Sequence, residues 1–330
     1  MHAGLLATAM NGAAVLSAVS DAVPDFADEL AHAYNVPAVQ ADRLIGDPAI
    51  DAVAICSPTS THMRYIIEAA EAGKSIFCEK PVSLDLAEVD RALAVVSRVG
   101  ARLMVGFNRR FDPSHAAVRA AVANGSVGAP HIARITSRDP DPPPMSYARG
   151  SGGIFLDMTV HDFDMARYVV GSEVVEVTAA GAVRIEPELE EIGDVDTAII
   201  MLRHENDCLT VIDNSRRATY GYDQRVEVLG ANGLAGSDNP LTTTAFTRDG
   251  TGTRAATLPY FFIERYRDSY LRQWEAFISS VASATPPPTS GADGRAALVL
   301  GLAAKRSLLE HRSVQTAEIH SQMEGGRPEV

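Results

Sequence analysis

Short apolar runs alternate with helical spacings through the first hundred residues. Residues 14–20 (AVLSAVS) form a candidate strand ending at Asp21, and 25–34 has helical spacing. The run 51–56 (DAVAIC) predicts a strand entering Ser57-Pro58-Thr59, followed by a helix over 61–72 that Gly73 caps. SIFC at 75–78 is another strand, and Glu79-Lys80-Pro81 follows it. Leu84, Leu86, Val89, Leu93 and Val96 share one face, so a helix is expected over 83–99, stopped by Gly100. A further strand is expected at 102–107. Strands and helices alternating across short connections predict a parallel sheet wound by right-handed crossovers.

After about residue 107 the texture changes. Residues 116–123 have helical spacing, 131–137 reads as a strand, and DPDPPP at 139–144 is a rigid loop, because proline fixes φ. A single helix is expected over 155–170. Strand-like runs at 174–182, 197–203, 208–213 and 225–229 follow with no helical pattern between them, which favours an antiparallel or mixed sheet. Helices at 266–284 and 294–311 close the chain, and the polar residues after 319 are expected to fray. The predicted fold class is α/β: a doubly wound nucleotide-binding domain over 1–106, then an α+β domain over 107–330 with an open, mostly antiparallel sheet.

Composition narrows the partners. A net charge of -13 argues against binding a phosphate backbone, so no nucleic-acid partner is expected. Cys56, Cys78 and Cys208 are too scattered for a disulfide framework or a zinc site. Cys56 and Cys78 each end an apolar run and read as buried strand thiols, which suits a reducing, cytoplasmic setting. The apolar stretches are short of a membrane span and residues 1–6 do not resemble a signal peptide, so neither a membrane partner nor export is expected.

Ligands bind a doubly wound sheet outside the carboxyl ends of its strands. Asp21, Ser57-Pro58-Thr59 and Glu79-Lys80-Pro81 all follow such ends. An acidic side chain at Asp21 would accept from adenosine ribose hydroxyls and repel a 2′-phosphate, favouring NAD over NADP; taken alone it is more often a helix or turn cap, and the concurrence of three strand ends shifts the reading to a cofactor cleft. Pro81 disfavours helix at Lys80, whose ammonium would steady a developing alkoxide. The plainer alternative is a surface lysine paired with Glu79. Asp157 and His161, four apart, would share one helix face. His161 suits a hydroxyl proton acceptor, with Asp157 orienting it. Capping by Asp157 with a packed His161 is a second reading, and a metal held by His161, Asp157, Asp162 and Asp164 a third. Gly152-Gly153 permits close backbone approach to a ligand.

Together these residues resemble the glucose–fructose oxidoreductase, inositol dehydrogenase and MocA family (Gfo/Idh/MocA), in particular its inositol dehydrogenase branch. The resemblance runs over nearly the whole chain. It rests on ICSPTSTH at 55–62, AGKSIFCEKP at 72–81, VGFNRRFDP at 105–113, SGGIFLDMTVHDFDMARY at 151–168, VIDNSRRATYGYDQRVEVLG at 211–230 and FFIERYRDSY at 261–270. It implies a Rossmann domain, NAD as cofactor, and Lys80, Asp157 and His161 as the catalytic lysine, aspartate and histidine. Arg109, Asp139, Tyr220 and Tyr270 fall where that branch contacts substrate. Asp21, Ser57, Thr59, His62 and Glu79, with Lys80, fall along the cofactor. No resident metal is implied, and the subunits are expected to pair into dimers or tetramers through an open sheet face. The implied reaction is hydride transfer from a ring CH–OH of myo-inositol or a related polyol to NAD. The alternatives are another sugar or anhydrosugar as substrate, or a non-catalytic sugar sensor.

One departure stands out. The family's opening strand and G-x-G-x-x-G loop, whose helix N-terminus receives the pyrophosphate, are absent from the printed sequence. The family register places them upstream of Met1, so an internal codon read as a start is expected. The competing expectation is a short chain that binds its cofactor weakly.

Overall fold

The computed structural model describes residues 1–8, 10 and 12–324, with side chains to residue 320. Two compact units emerge: residues 1–108 with 270–295, and residues 109–269 with the chain from Ala296 onward.

The first unit is built on a parallel sheet of β1 (Ala52–Ile55), β2 (Ser75–Cys78) and β3 (Leu103–Val105), in that spatial order. All four residues of β2 are buried, as a central parallel strand requires. Helices His62–Glu71 and Leu86–Val99 are the crossovers. The second starts three residues later than its spacing suggests, because the Asp85 side chain accepts from the Glu88 amide and caps it. Gly100 ends it in the left-handed conformation (φ 68°). Helix Pro24–Tyr34 opens on a proline and ends on left-handed Asn35.

Residues 14–20 do not form the expected strand. Only Val19 pairs, bridging to Ala38 through Val19 N–Pro37 O and Val39 N–Val19 O bonds of 3.0 and 2.9 Å. A strand is defined by a ladder, and one bridge is not a ladder. Phe77 of β2 stacks on Trp274 of helix Arg267–Ser283, with ring centroids 4.4 Å apart. Helix Gly291–Glu310 begins beside Leu93, where a Cβ on Gly291 would lie 2.3 Å from that side chain, so only glycine permits the approach.

The second unit holds β4 (Pro130–Arg138), β5 (Val174–Ala182), β6 (Thr197–His204), β7 (Leu209–Ser215), β8 (Asp223–Gly230) and β9 (Gly233–Ser237). A hairpin of β10 (Phe246–Asp249) and β11 (Gly252–Ala255) follows, and β12 (Val314–Gln315) joins the main sheet late. The sheet order is β12-β5-β6-β7-β4-β8-β9; β4 and β7 run parallel and every other pair antiparallel. Strict in–out alternation in β6 marks one covered and one open face. Helices Pro113–Ala123 and Val160–Val170 pack on the covered side.

Three further expectations change. The predicted helix over 155–170 is two, Ile154–Asp157 and Val160–Val170. The Thr159 amide reaches back to Ile154 O (2.9 Å), and its hydroxyl sits 2.6 Å from Asn214 Oδ1, which re-registers the turn. The tail after 319 continues a helix, Thr316–Glu324, whose first turn Arg312 grips through Glu318 at 2.7 Å; residues 325–330 lie outside the described set. Cys78 and Cys208 are buried, but Cys56 follows β1 and is exposed.

Candidate active site

In the first unit the turns after β1 and β2 are tied together by His62. Its buried ring places Nδ1 3.0 Å from Pro81 O and Nε2 2.9 Å from Ser57 O. Ser57 and Thr61 share a hydroxyl hydrogen bond of 2.6 Å, and Thr59 opens the 3-10 turn between them. Glu79 directly follows β2; it accepts from the Lys80 amide (3.1 Å) and lies 2.8 Å from His2 Nε2. Gly106 makes room for that carboxylate, since a Cβ there would lie 2.9 Å from it. Lys80 is half-buried and joined to Pro81 by a cis peptide. Asp21 is exposed and accepts from Val23 N (2.9 Å), a turn contact just ahead of helix Pro24–Tyr34. Tyr270 is buried, edge-on to the His2 ring at 5.6 Å.

These donors and acceptors suit the two ends of a nicotinamide dinucleotide. An exposed carboxylate, Asp21, precedes helix Pro24–Tyr34, and the hydroxyls of Ser57 and Thr59 and the ammonium of Lys80 follow β1 and β2. The glycine-rich cradle that usually receives a pyrophosphate is not in the given sequence.

In the second unit Asp157 is buried and held on both oxygens. Tyr147 donates to Oδ1 at 2.9 Å, and both terminal nitrogens of Arg216 lie 3.4 Å from Oδ2. His161, half-buried, begins the next helix, its amide bonded to Met158 O at 3.3 Å. Asp157 and His161 therefore lie on either side of a helix break instead of one turn apart on a continuous helix. Asp162 is clamped by Arg109 Nη1 (2.5 Å) and Asn214 Nδ2 (2.9 Å), and Arg110 takes Asp164 with bonds of 2.8 and 2.6 Å. Arginines thus pair with three of the four groups that the metal reading requires, Asp157, Asp162 and Asp164. Among the described residues no cluster of three or more metal-ligating side chains is present.

Arg109 also reaches Ser137 and the Tyr222 hydroxyl at 3.3 and 3.4 Å. Asp139, just past β4, is fixed by its backbone: its N–H donates to Ser215 O and its carbonyl accepts from Ala218. Burial pushes its carboxyl up to about 6, against the pull of Arg216 and Arg109 and with the help of Asp157 and Asp162. Tyr220 has other company: it donates to Asp223 (2.7 Å) and accepts from Arg138 (2.9 Å), half exposed.

Sequence reasoning passed over Arg216 and Tyr147. Arg216 carries a signal in retrospect, an arginine at the end of a strand (NSRR) that is 1% exposed and so needs a buried anion. Tyr147 carries none, because its short helix follows a proline run.

Two family models match the chain. The oxidoreductase family with NAD-binding Rossmann fold covers residues 2–107, and the GFO/IDH/MocA C-terminal domain covers residues 115–235. The myo-inositol 2-dehydrogenase of Thermotoga maritima is 52% identical over 308 residues, spanning 93% of this chain and 92% of that one. The inositol 2-dehydrogenase of Rhizobium meliloti is 46% identical over 307 residues, 93% of each. A crystal structure of a myo-inositol dehydrogenase from Corynebacterium glutamicum superposes with a TM-score of 0.91 at 39% identity, covering 95% of this chain and 94% of that one. With its two sheets, its strand-end polar residues and both domain models in place, this chain belongs to the Gfo/Idh/MocA family of oxidoreductases, with an NAD-binding Rossmann fold.

Proposed function

We propose that this protein is an NAD-dependent dehydrogenase that oxidises a ring hydroxyl of myo-inositol, or of a closely related cyclic polyol, to the ketone. The observation that carries the reading is Asp157. It is a buried carboxylate held by Tyr147 and Arg216, four residues before His161 across a helix break, in a chain 52% identical to a myo-inositol 2-dehydrogenase along nearly its full length. Bound NAD supplies the hydride acceptor. His161 takes the hydroxyl proton, Asp157 orients the imidazole or an adjacent hydroxyl, and Lys80 steadies the alkoxide as the hydride leaves. Arg109, Asp139, Tyr220 and Tyr270 contact the substrate. Asp21, Ser57, Thr59, His62 and Glu79 line the cofactor, with Asp21 favouring NAD over NADP. The first domain spans 1–106 and the second 107–330.

The protein is further proposed to be a cytoplasmic homo-oligomer, a dimer or tetramer. Supporting this, the open face of the second unit's sheet exposes Ile132, Ile199, Met201, Val211, Leu229 and Leu234. No described helix is long and apolar enough to cross a membrane. The test is NADH formation at 340 nm with myo-inositol and a panel of polyols, for the wild type, Lys80→Ala and His161→Ala. Each substitution is expected to lower turnover by about 10²-fold or more. Near-normal turnover in either variant removes that residue from the mechanism, and activity on none of the inositols removes the substrate assignment.

A further inference from the structure

Two alternate residues at the end of β7 face the covered side of the second unit's sheet. Burial recurs at Thr210, Ile212 and Asn214 and continues one residue past the strand to Arg216, whose amide bonds to Asp196 O at 2.8 Å. Arg216 holds Asp157. Asn214, itself buried, grips the chain before and after His161. Its Oδ1 accepts from the Thr159 hydroxyl at 2.6 Å, and its Nδ2 donates to Asp162 Oδ2 at 2.9 Å and to Ser137 O at 3.3 Å. This amide has one workable orientation. The Ser137 carbonyl and the Asp162 carboxylate, paired with Arg109, both accept, so the amide nitrogen must face them. Thr159 also lies 3.1 Å from Ile154 O, but that carbonyl already accepts the amides of Met158 and Thr159, and the single hydroxyl proton goes to the shorter bond. Thr159 and Asp162 are fully buried, where an unmet polar group is costly.

The short helix Ile154–Asp157 is pinned separately. Asp194 accepts from the Ile154 amide at 2.9 Å, and Gly153 clears its way, since a Cβ there would lie 2.6 Å from that carboxylate oxygen. The room at Gly153 is thus taken by a carboxylate of the protein itself. Tyr147 and Arg216 fix the other end at Asp157. Across the break the tether is weaker: the His161 amide meets Met158 O at 3.3 Å, long for such a bond. Helix Val160–Val170 hangs instead on Thr159, whose carbonyl takes the amides of Asp162 and Phe163 at 2.8 and 2.9 Å. Whatever holds the Thr159 side chain therefore holds the start of that helix.

We infer that Asn214 is a positioning residue: through Thr159 and Asp162 it sets where His161 stands after the helix break, and so its readiness to take the hydroxyl proton. The inference rests on the reading of His161 as that proton acceptor. The end of β7 then serves both groups, Arg216 for Asp157 and Asn214 for His161, from two side chains on one strand face.

Each variant is read twice: by the NMR proton–carbon resonance of the His161 ring, without cofactor, and by steady-state turnover with NAD and myo-inositol. Asn214→Ala and Thr159→Val are expected to move that resonance and to lower kcat roughly 10-fold or more. Thr159→Ser keeps the hydroxyl and should recover most of the loss. In a His161→Ala background, Asn214→Ala should cost under about twofold further, because the group it serves is gone. An unmoved His161 resonance in folded Asn214→Ala or Thr159→Val protein overturns the inference. So does an Asn214→Ala penalty as large without His161 as with it, or a Thr159→Ser enzyme no better than Thr159→Val. Should Asn214→Ala fail to fold, the two Thr159 variants decide alone. Near-normal turnover in His161→Ala defeats the reading of His161 as the base, and the resonance still decides whether Asn214 places it.

Discussion

Asp139 tests whether the second unit trades stability for chemistry. Its carboxyl is raised from an ordinary 3.8 to about 6, chiefly by burial. A raised carboxyl contributes its stability below pH 3.8 and loses it as pH climbs through 6. At pH 7.5 the ionised group should therefore weigh on the fold. At about 1.4 kcal/mol per pH unit, the two-unit displacement corresponds to about 2–3 kcal/mol. Asp139→Asn keeps the shape and removes the charge, so the variant should be more stable than the wild type at pH 7.5, by roughly 3–8 °C in melting temperature. The gain should shrink through pH 6 and be nearly gone at pH 4. Thermal melts of both proteins across pH 4–8 measure the difference, in which the other titrating groups largely cancel. A difference that stays flat with pH, or a variant less stable at pH 7.5, refutes the reasoning. If Asp139 also contacts substrate, the same variant loses turnover while gaining stability.

Arg216→Leu removes the buried cation beside Asp157. Stripping one partner from a buried pair is expected to cost about 3–5 kcal/mol, and turnover should fall at least tenfold, with Arg216→Lys recovering part of both; a folded Arg216→Leu enzyme at wild-type rate contradicts this. Asp196 accepts amides from Arg184, Ile185 and Glu186 at 2.9, 2.8 and 3.0 Å and the Thr197 hydroxyl at 2.9 Å. Against the cost of burial, these bonds hold its carboxyl below the usual 3.8, so its contribution is present above that pH and lost as pH falls further. Asp196→Asn should cost about 1–3 kcal/mol at pH 7 and progressively less in acid, as urea unfolding would show.

Local pattern was enough where a residue's neighbours in sequence are also its neighbours in space. SIFC is a strand because a continuous apolar run of that length is buried on both faces. The break at Thr159 was hidden because apolar spacing continues through it, and the group that re-registers it, Asn214, is 55 residues away. Segment 15–20 reads as a strand by composition, yet a strand needs partners that composition cannot supply. The hairpin β10–β11 has every residue exposed, leaving no apolar alternation to detect. Among the residues proposed as catalytic, Lys80, Asp157 and His161 were visible as residue types at telling positions. The arginines that neutralise Asp162 and Asp164 were visible only as charge.

The ring of His62 spans the carbonyls of Ser57 and Pro81, so the turns that follow β1 and β2 share a single mechanical constraint. Their fluctuations should be correlated, and the order parameters of one should report on the other. A ligand that stills the Ser57 turn would then find the Lys80–Pro81 turn already partly stilled, and the entropy lost in ordering the pair would be less than twice that of one.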